Sequence, residues 1–167
     1  MSIVTAPSVT DSIALAVRRM GATKSQLLKT FAHVPDDKLQ WSPTPTCRTP
    51  LQIVAHCAYV NGVVAGVLMG ETDHARTSVE EGRRQTLEFE AMVMDREQAL
   101  TLLEKSCADV LGAIATMTAE RFVEPMESRF GPIPASFWML LPSTHMSNHA
   151  AQIDYIQTAW GDLDNHF

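Results

Sequence analysis

The stretch Ser143-Thr144-His145-Met146-Ser147-Asn148-His149-Ala150-Ala151-Gln152-Ile153 decides how this chain is read. His145 and His149 are four residues apart in a segment that reads as helix, so both rings leave the same side, one turn apart. Gln152 lies three residues beyond His149 and shares that face. A helix presents two imidazoles to one metal ion at this spacing. No charged residue occurs from Gly131 to Ile153, and polar rings on an uncharged helix need partners when buried. Spacing alone leaves a second reading open, in which the two rings are hydrogen-bonded on a half-exposed helix without a metal. A third ligand from elsewhere in the chain would decide between them.

Around this stretch the pattern predicts a helix from about Ala135 to Trp160, with Gly161 suited to its C-terminal cap. Pro142 falls inside it and removes one backbone hydrogen bond, so it either kinks or splits the helix before His145 or starts it. Upstream, Phe122 to Pro134 holds three prolines and a glycine and reads as loop, with or without a short extended piece. Before that loop, Leu100, Leu103, Cys107, Val110, Ile114 and Met117 follow heptad spacing. Asp95 and Gln98 supply a capping box at that helix's start.

Near the N-terminus, Ile13, Val17, Met20, Leu27 and Phe31 mark one face of an amphipathic helix from Asp11 to about Phe31, interrupted at Lys24. Trp41-Ser42-Pro43-Thr44-Pro45 is an extended connector, because two prolines this close cannot sit in a helix interior. Thr49-Pro50 then opens a second helix running to about Met69, with Thr49 as N-cap and Pro50 at the first position. Leu51 to Gly70 carries no charge, long enough to raise a membrane-spanning reading. Gln52, His56, Asn61 and three glycines argue instead for a helix buried on most sides of a bundle. His56 and Cys57 are adjacent and about a quarter-turn apart, so they do not readily aim at one point. Gly70 to Gln85 is polar and reads as a long surface connection, with or without a short helix, and Thr86 to Met94 as a more apolar piece covering one end of the bundle. The expectation is a single all-α domain over 1–167: a four-helix bundle with one long middle connection.

The bulk numbers fit this. The chain has 167 residues, 46% hydrophobic and 19% charged, a globular composition. A net charge of −6 argues against a nucleic-acid partner bound through a basic face. Cys47, Cys57 and Cys107 are odd in number and lack CxxC spacing, so no disulfide framework is expected. No secretory signal is read, and the expected setting is cytoplasmic, with no membrane partner.

These pieces together resemble the DinB/YfiT-like superfamily. The resemblance rests on Trp41-Ser42-Pro43 leading through Thr49-Pro50 into a helix with His56 early on, on His145-xxx-His149-xx-Gln152-Ile153, and on the four-helix layout. It implies an up-down-down-up bundle with a long crossover between helices two and three. It also implies one divalent metal ion, zinc or nickel, held by His56, His145 and His149, and a homodimer. Helix two carries more apolar surface than one bundle interior requires, which also points to a dimer. Light scattering that finds only a species of the 18.4 kDa chain mass would count against it. Some relatives are transferases or isomerases that use a low-molecular-weight thiol such as bacillithiol or mycothiol, acting on a small-molecule substrate.

Three neutral imidazoles leave coordination positions open, as in catalytic rather than structural sites. Position 146 is Met, so this is not HExxH, and Asp154 points off the ligand face. No dedicated carboxylate base is visible from sequence, and Glu80 or Glu81 in the polar connection are the carboxylates that could reach over the site. A metal-stabilised thiolate needs no carboxylate base, which tilts the expectation toward thiol transfer. The alternatives are hydrolysis of a small substrate and a non-catalytic, stress-associated metal-binding protein. Gln152 either bonds a ligand or packs between helices, and Tyr59 either lines the pocket or packs in the core. His33, His74 and His166 are expected in solvent, Cys57 and Cys107 as small hydrophobes, and Trp41 at one end of the bundle. Arg83-Arg84 reads as a solvated pair, or as a clamp if substrates carry carboxylates.

Overall fold

The computed structural model describes residues 8–166; residues 1–7 and 167, the ends of the expected 1–167 domain, lie outside the described residues. In chain order the elements are α1 (Val9–Ala32), α2 (Pro50–Met69), α3 (Asp73–Arg76), α4 (Val79–Met92), α5 (Arg96–Ala115), α6 (Ala119–Val123), β1 (Pro125–Met126), β2 (Ile133–Pro134) and α7 (Ala135–Thr158). The bundle consists of α1, α2, α5 and α7, the four helices that the sequence reading marks. α1 packs on α7 and α5, and α2 packs on the same two from the other side.

Pairings along the helices fix their directions. Lys24 meets Glu104, while Phe31, further along α1, meets Arg96 at the start of α5, so α1 and α5 are antiparallel. Asn61 meets Ser106 and Met69 meets Thr116, so α2 and α5 run the same way. Gln26 meets Ser147 and Thr30 meets Gln157, so α1 and α7 are also parallel. The order is up-down-down-up. Two parallel neighbours consecutive in the bundle require the chain to travel back the length of α2 before α5 begins.

That return is more regular than the expected surface connection with or without a short helix. Val79–Met92 form a regular helix, α4, capped by the Ser78 hydroxyl accepting the Glu81 amide at 3.1 Å. α4 lies antiparallel along α2, with Glu90 beside His56 and Gln85 beside Tyr59. Its charged first turns face water, and Gly82 suggests a break. Gly82 has a packing reason instead, because a Cβ there would lie 1.5 Å from Nη1 of Arg129. α4 also takes up part of the apolar surface of α2 on which the dimer expectation rests.

Elsewhere the local chemistry matches. Thr49 and Gln52 complete a reciprocal capping box at the start of α2, and Gly70 ends that helix at φ 91°. Asp95 caps α5 by accepting the Gln98 amide at 2.8 Å, and Gln98 reaches back to the Met94 amide at 2.9 Å. Lys24 interrupts the α1 stripe because it forms an interhelical ion pair with Glu104, and Ala16 rather than Val17 is buried there. Trp41 meets Trp160 edge-on at 5.3 Å and closes one end. Pro142 neither starts nor splits its helix: α7 runs through it, and the Ser143 and Thr144 hydroxyls donate to the Leu140 carbonyl at 2.8 and 3.3 Å. The missing proline N–H leaves the Trp138 carbonyl without its usual amide partner.

α2 is the one described helix long and apolar enough to cross a membrane, yet 61% of its apolar window is buried inside the bundle. A core helix passes the same test. Leu103, fully buried on α5, samples this core. Leu103→Ala should lower stability by about 2–5 kcal/mol, through lost transfer energy and a residual cavity. Urea unfolding of the two proteins side by side measures it.

Candidate metal centre

Early in α2, Thr49 and Pro50 fix the helix start, so His56 emerges two turns in, on the face toward α7. From α7, His145 and His149 emerge one turn apart. The three rings converge. His145 Nε2 lies 3.2 Å from His56 Nε2 and 3.1 Å from His149 Nε2, and ligand atoms of all three residues lie within 4.8 Å of one another. An ion with metal–nitrogen bonds of about 2.0–2.1 Å and tetrahedral angles would set its nitrogens about 3.3 Å apart. The spacing therefore suits one ion.

The outer faces of the rings decide their tautomers. His56 Nδ1 is 2.9 Å from Glu90 Oε1; an ionised carboxylate only accepts, so Nδ1 carries the proton and donates. His149 Nδ1 is 2.7 Å from Gln152 Oε1 and donates in the same way. Both Nε2 atoms then present bare lone pairs toward His145. A single N–H on His145 can satisfy only one of them, whereas one cation can satisfy all three. His145 Nδ1 is itself buried without a partner. This donor set, three neutral nitrogens held by hydrogen bonds on their far sides, is what a divalent transition metal takes.

Glu90 is the residue the sequence reading missed. Its side chain is 1% exposed, and Arg48 Nε donates to both its oxygens, at 3.0 and 2.9 Å. Burial alone would raise its pKa; the hydrogen bonds from His56 and Arg48 overcome that and hold the carboxyl below its usual range. The only sequence signal was that Glu90 alternates with Phe89 and precedes the apolar run Ala91 to Met94, two residues after the exposed Glu88. Glu80 and Glu81, the candidates for reaching over the site, sit in the first turn of α4, and Glu81 pairs with Arg84 at 2.6 Å. Of the two readings for Gln152, the structure shows orientation of a histidine ring.

The remaining candidates divide. Cys57 and Cys107 are buried free thiols packed in the core, and burial raises both pKa values. Tyr59 packs its ring against Phe89 at 5.4 Å and also lines a cavity. Arg84 is taken by Glu81 and Glu88, while Arg83 reaches that same cavity. Of the three histidines expected in solvent, only His33 is exposed. His166 stacks on it at 4.1 Å and bonds Asp162, and His74 sits edge-on to Trp138 with Nδ1 buried. The bundle end and the crossover fold back over those two positions.

Burial, reinforced by the neighbouring imidazoles, pushes His145 down to about 3 and His149 down to about 4. In the unfolded chain both titrate near about 6.5. Between these values the unfolded chain binds more protons than the folded one, so stability must rise with pH there. The metal-free protein should thus lose stability as pH falls from about 6.5 toward 4. His149→Asn should flatten that slope, as read by urea unfolding at a series of pH values. A slope unchanged in the variant would show that the ring is not protected from protonation.

Known proteins bear on this arrangement. The DinB superfamily model matches residues 19–153. A search of curated proteins returned no match. Among solved structures, a four-helix bundle protein designated TT2238 aligns with a TM-score of 0.62 at 21% identity, covering 86% of this chain and 98% of its own. A mycothiol-dependent maleylpyruvate isomerase aligns at 0.67 and 15% identity, covering 89% of this chain and 63% of its own. A protein from Streptococcus pneumoniae aligns at 0.65 and 11% identity, over 91% and 93%. At such identities the structural likeness establishes the fold. With the sequence match spanning most of the bundle, the chain belongs to the DinB superfamily.

Proposed function

We propose that this protein is a metal-dependent enzyme that holds one zinc or nickel ion with His56, His145 and His149 and acts on a small molecule with a low-molecular-weight thiol as cosubstrate. The observation that carries the reading is the convergence of three Nε2 atoms whose rings are fixed from behind by Glu90 and Gln152. His56 and His145 are both partly exposed, so the triad lies at the edge of the bundle rather than sealed within it. When bound, a divalent ion there would supply electrostatic stabilisation of a thiolate or polarisation of a substrate oxygen.

The protein's own residues favour thiol transfer over hydrolysis. A hydrolase of this kind needs a group free to take a proton from water. Glu90 is the carboxylate bonded to the triad, and Arg48 and His56 occupy its oxygens, so it orients rather than shuttles protons. Met146 stands where HExxH would place its glutamate, and its side chain is buried against Asn61 and Cys107. In thiol transfer, the sulfur–hydrogen bond breaks and its proton leaves to solvent. A carbon–sulfur bond forms at the electrophile, whose leaving group departs with the electron pair. The mycothiol-dependent isomerase of the same fold supports this direction.

Metal analysis should find about one ion per chain, with a large loss in each of His56→Ala, His145→Ala and His149→Ala. Glu90→Gln should keep the fold and weaken binding about 10–100-fold, the usual effect of losing a carboxylate behind a ligating histidine. Full occupancy in all three alanine variants would sink the site. Retention in His56→Ala alone would leave the α7 pair and reassign the third ligand. For the reaction, mass spectrometry of metal-loaded protein with mycothiol, bacillithiol or glutathione and an electrophile should show metal-dependent adducts or isomers. No turnover with any of these thiols would return the reading to hydrolysis or to metal binding alone.

A further inference from the structure

One turn from the triad along two helices, the bundle opens into a cavity of about 410 Å³. Tyr59 and Val60 follow His56 on α2, and Leu141 precedes His145 on α7, so the cavity abuts the site. Its walls are mostly apolar: Val63, Val64, Ile133, Phe137 and Trp138 join those residues. The volume is in the range that small-molecule sites occupy.

Its polar lining is unusual. Trp138 Nε1, His74 Nδ1 and Arg129 Nε are all buried and all lack a hydrogen-bond partner among the described residues. The three side chains line the same cavity, and the His74 and Trp138 rings are 5.4 Å apart. The Arg129 guanidinium donates from Nη1 to the Ser78 carbonyl at 3.1 Å, which pins it across the bare backbone of Gly82. No carboxylate pairs with it among the described residues, although Glu71 and Asp73 line the adjoining hollow with it. Burial and the nearby Arg129 lower the pKa of His74, so its ring is neutral and can donate from Nδ1. Unmet buried polar groups are costly, and here three of them sit at one largely apolar cavity.

We propose that this cavity binds an apolar, aromatic carboxylic acid, its ring among Tyr59, Val63 and Leu141 and its carboxylate on Arg129, Trp138 and His74. An anion that only accepts hydrogen bonds matches three donors, and a planar carboxylate matches a guanidinium. As the substrate subsite of the enzyme this rests on the function proposed above; as a binding site it stands apart from the metal.

The test is therefore made on metal-free protein, by calorimetry and tryptophan fluorescence, with phenylacetate and its uncharged counterpart phenylacetamide. Trp138 is the tryptophan at the cavity; Trp41 and Trp160 pair at one end of the bundle. Phenylacetate should bind at least about tenfold more tightly than the amide, the worth of one charge-assisted hydrogen bond. Arg129→Gln should erase that preference. Gly82→Ala, which keeps the charge but displaces the guanidinium, should reduce it while sparing the helix. His145→Ala should leave it intact. Equal binding of acid and amide, no binding of either, or a preference surviving Arg129→Gln would overturn the proposal. Loss of the preference in His145→Ala would place the acid on the triad and overturn it too. Failure of metal binding would leave these titrations unaffected.

Discussion

A carboxylate with almost no solvent exposure holds the architecture of this protein to its chemistry. Glu90 would be very costly to bury alone. Arg48 spans both of its oxygens from the connector before α2, and His56 donates to one of them from α2 itself. Those bonds satisfy the charge and tie three separate pieces of chain together: the connector, the second bundle helix and the crossover. Removing one partner from such a cluster costs far more than the cluster's net contribution to stability, because it strands the others in a dry environment. The crossover helix is thus fixed by the same group that fixes the tautomer of His56 in the triad.

Topology explains why such a device is available. An up-down-up-down bundle joins neighbours by short loops and leaves its outer faces to solvent. Here α2 and α5 are parallel, so a full helix must return along the outside of α2. That helix covers apolar surface and delivers a polar group behind the triad and Gly82 beneath Arg129. The length that the connection requires is used to build the site's outer support.

Much of this was legible in the chain. The four bundle helices followed from apolar periodicity and from caps such as Thr49 and Asp95, which act locally and leave local marks. The histidine pair on α7 followed from spacing alone. His56 as the third member came through the family resemblance, since nothing in periodicity joins residues so far apart in the chain. α4 read as no more than a short helix within a connection, because its charged face and Gly82 imitate a loop and its support is tertiary. Glu90 and Arg48 escaped notice for the same reason: each looks like an ordinary charged residue until the crossover folds back. The burial of His74 likewise depends on Trp138, remote in sequence.

The distance between the triad histidines along the chain would have a consequence for biogenesis if they hold the proposed ion. His56 and His145 are 89 positions apart, on helices that touch only when the last element docks. Closing so long a loop is entropically unfavourable until the surrounding contacts are in place. A nascent or misfolded chain therefore has at most the α7 pair to offer an ion, a far weaker chelate than the completed triad. In a cell that buffers its free metals tightly, tight metal binding would mark chains whose assembly is finished, and the ion would act as a late clasp between the second and last helices.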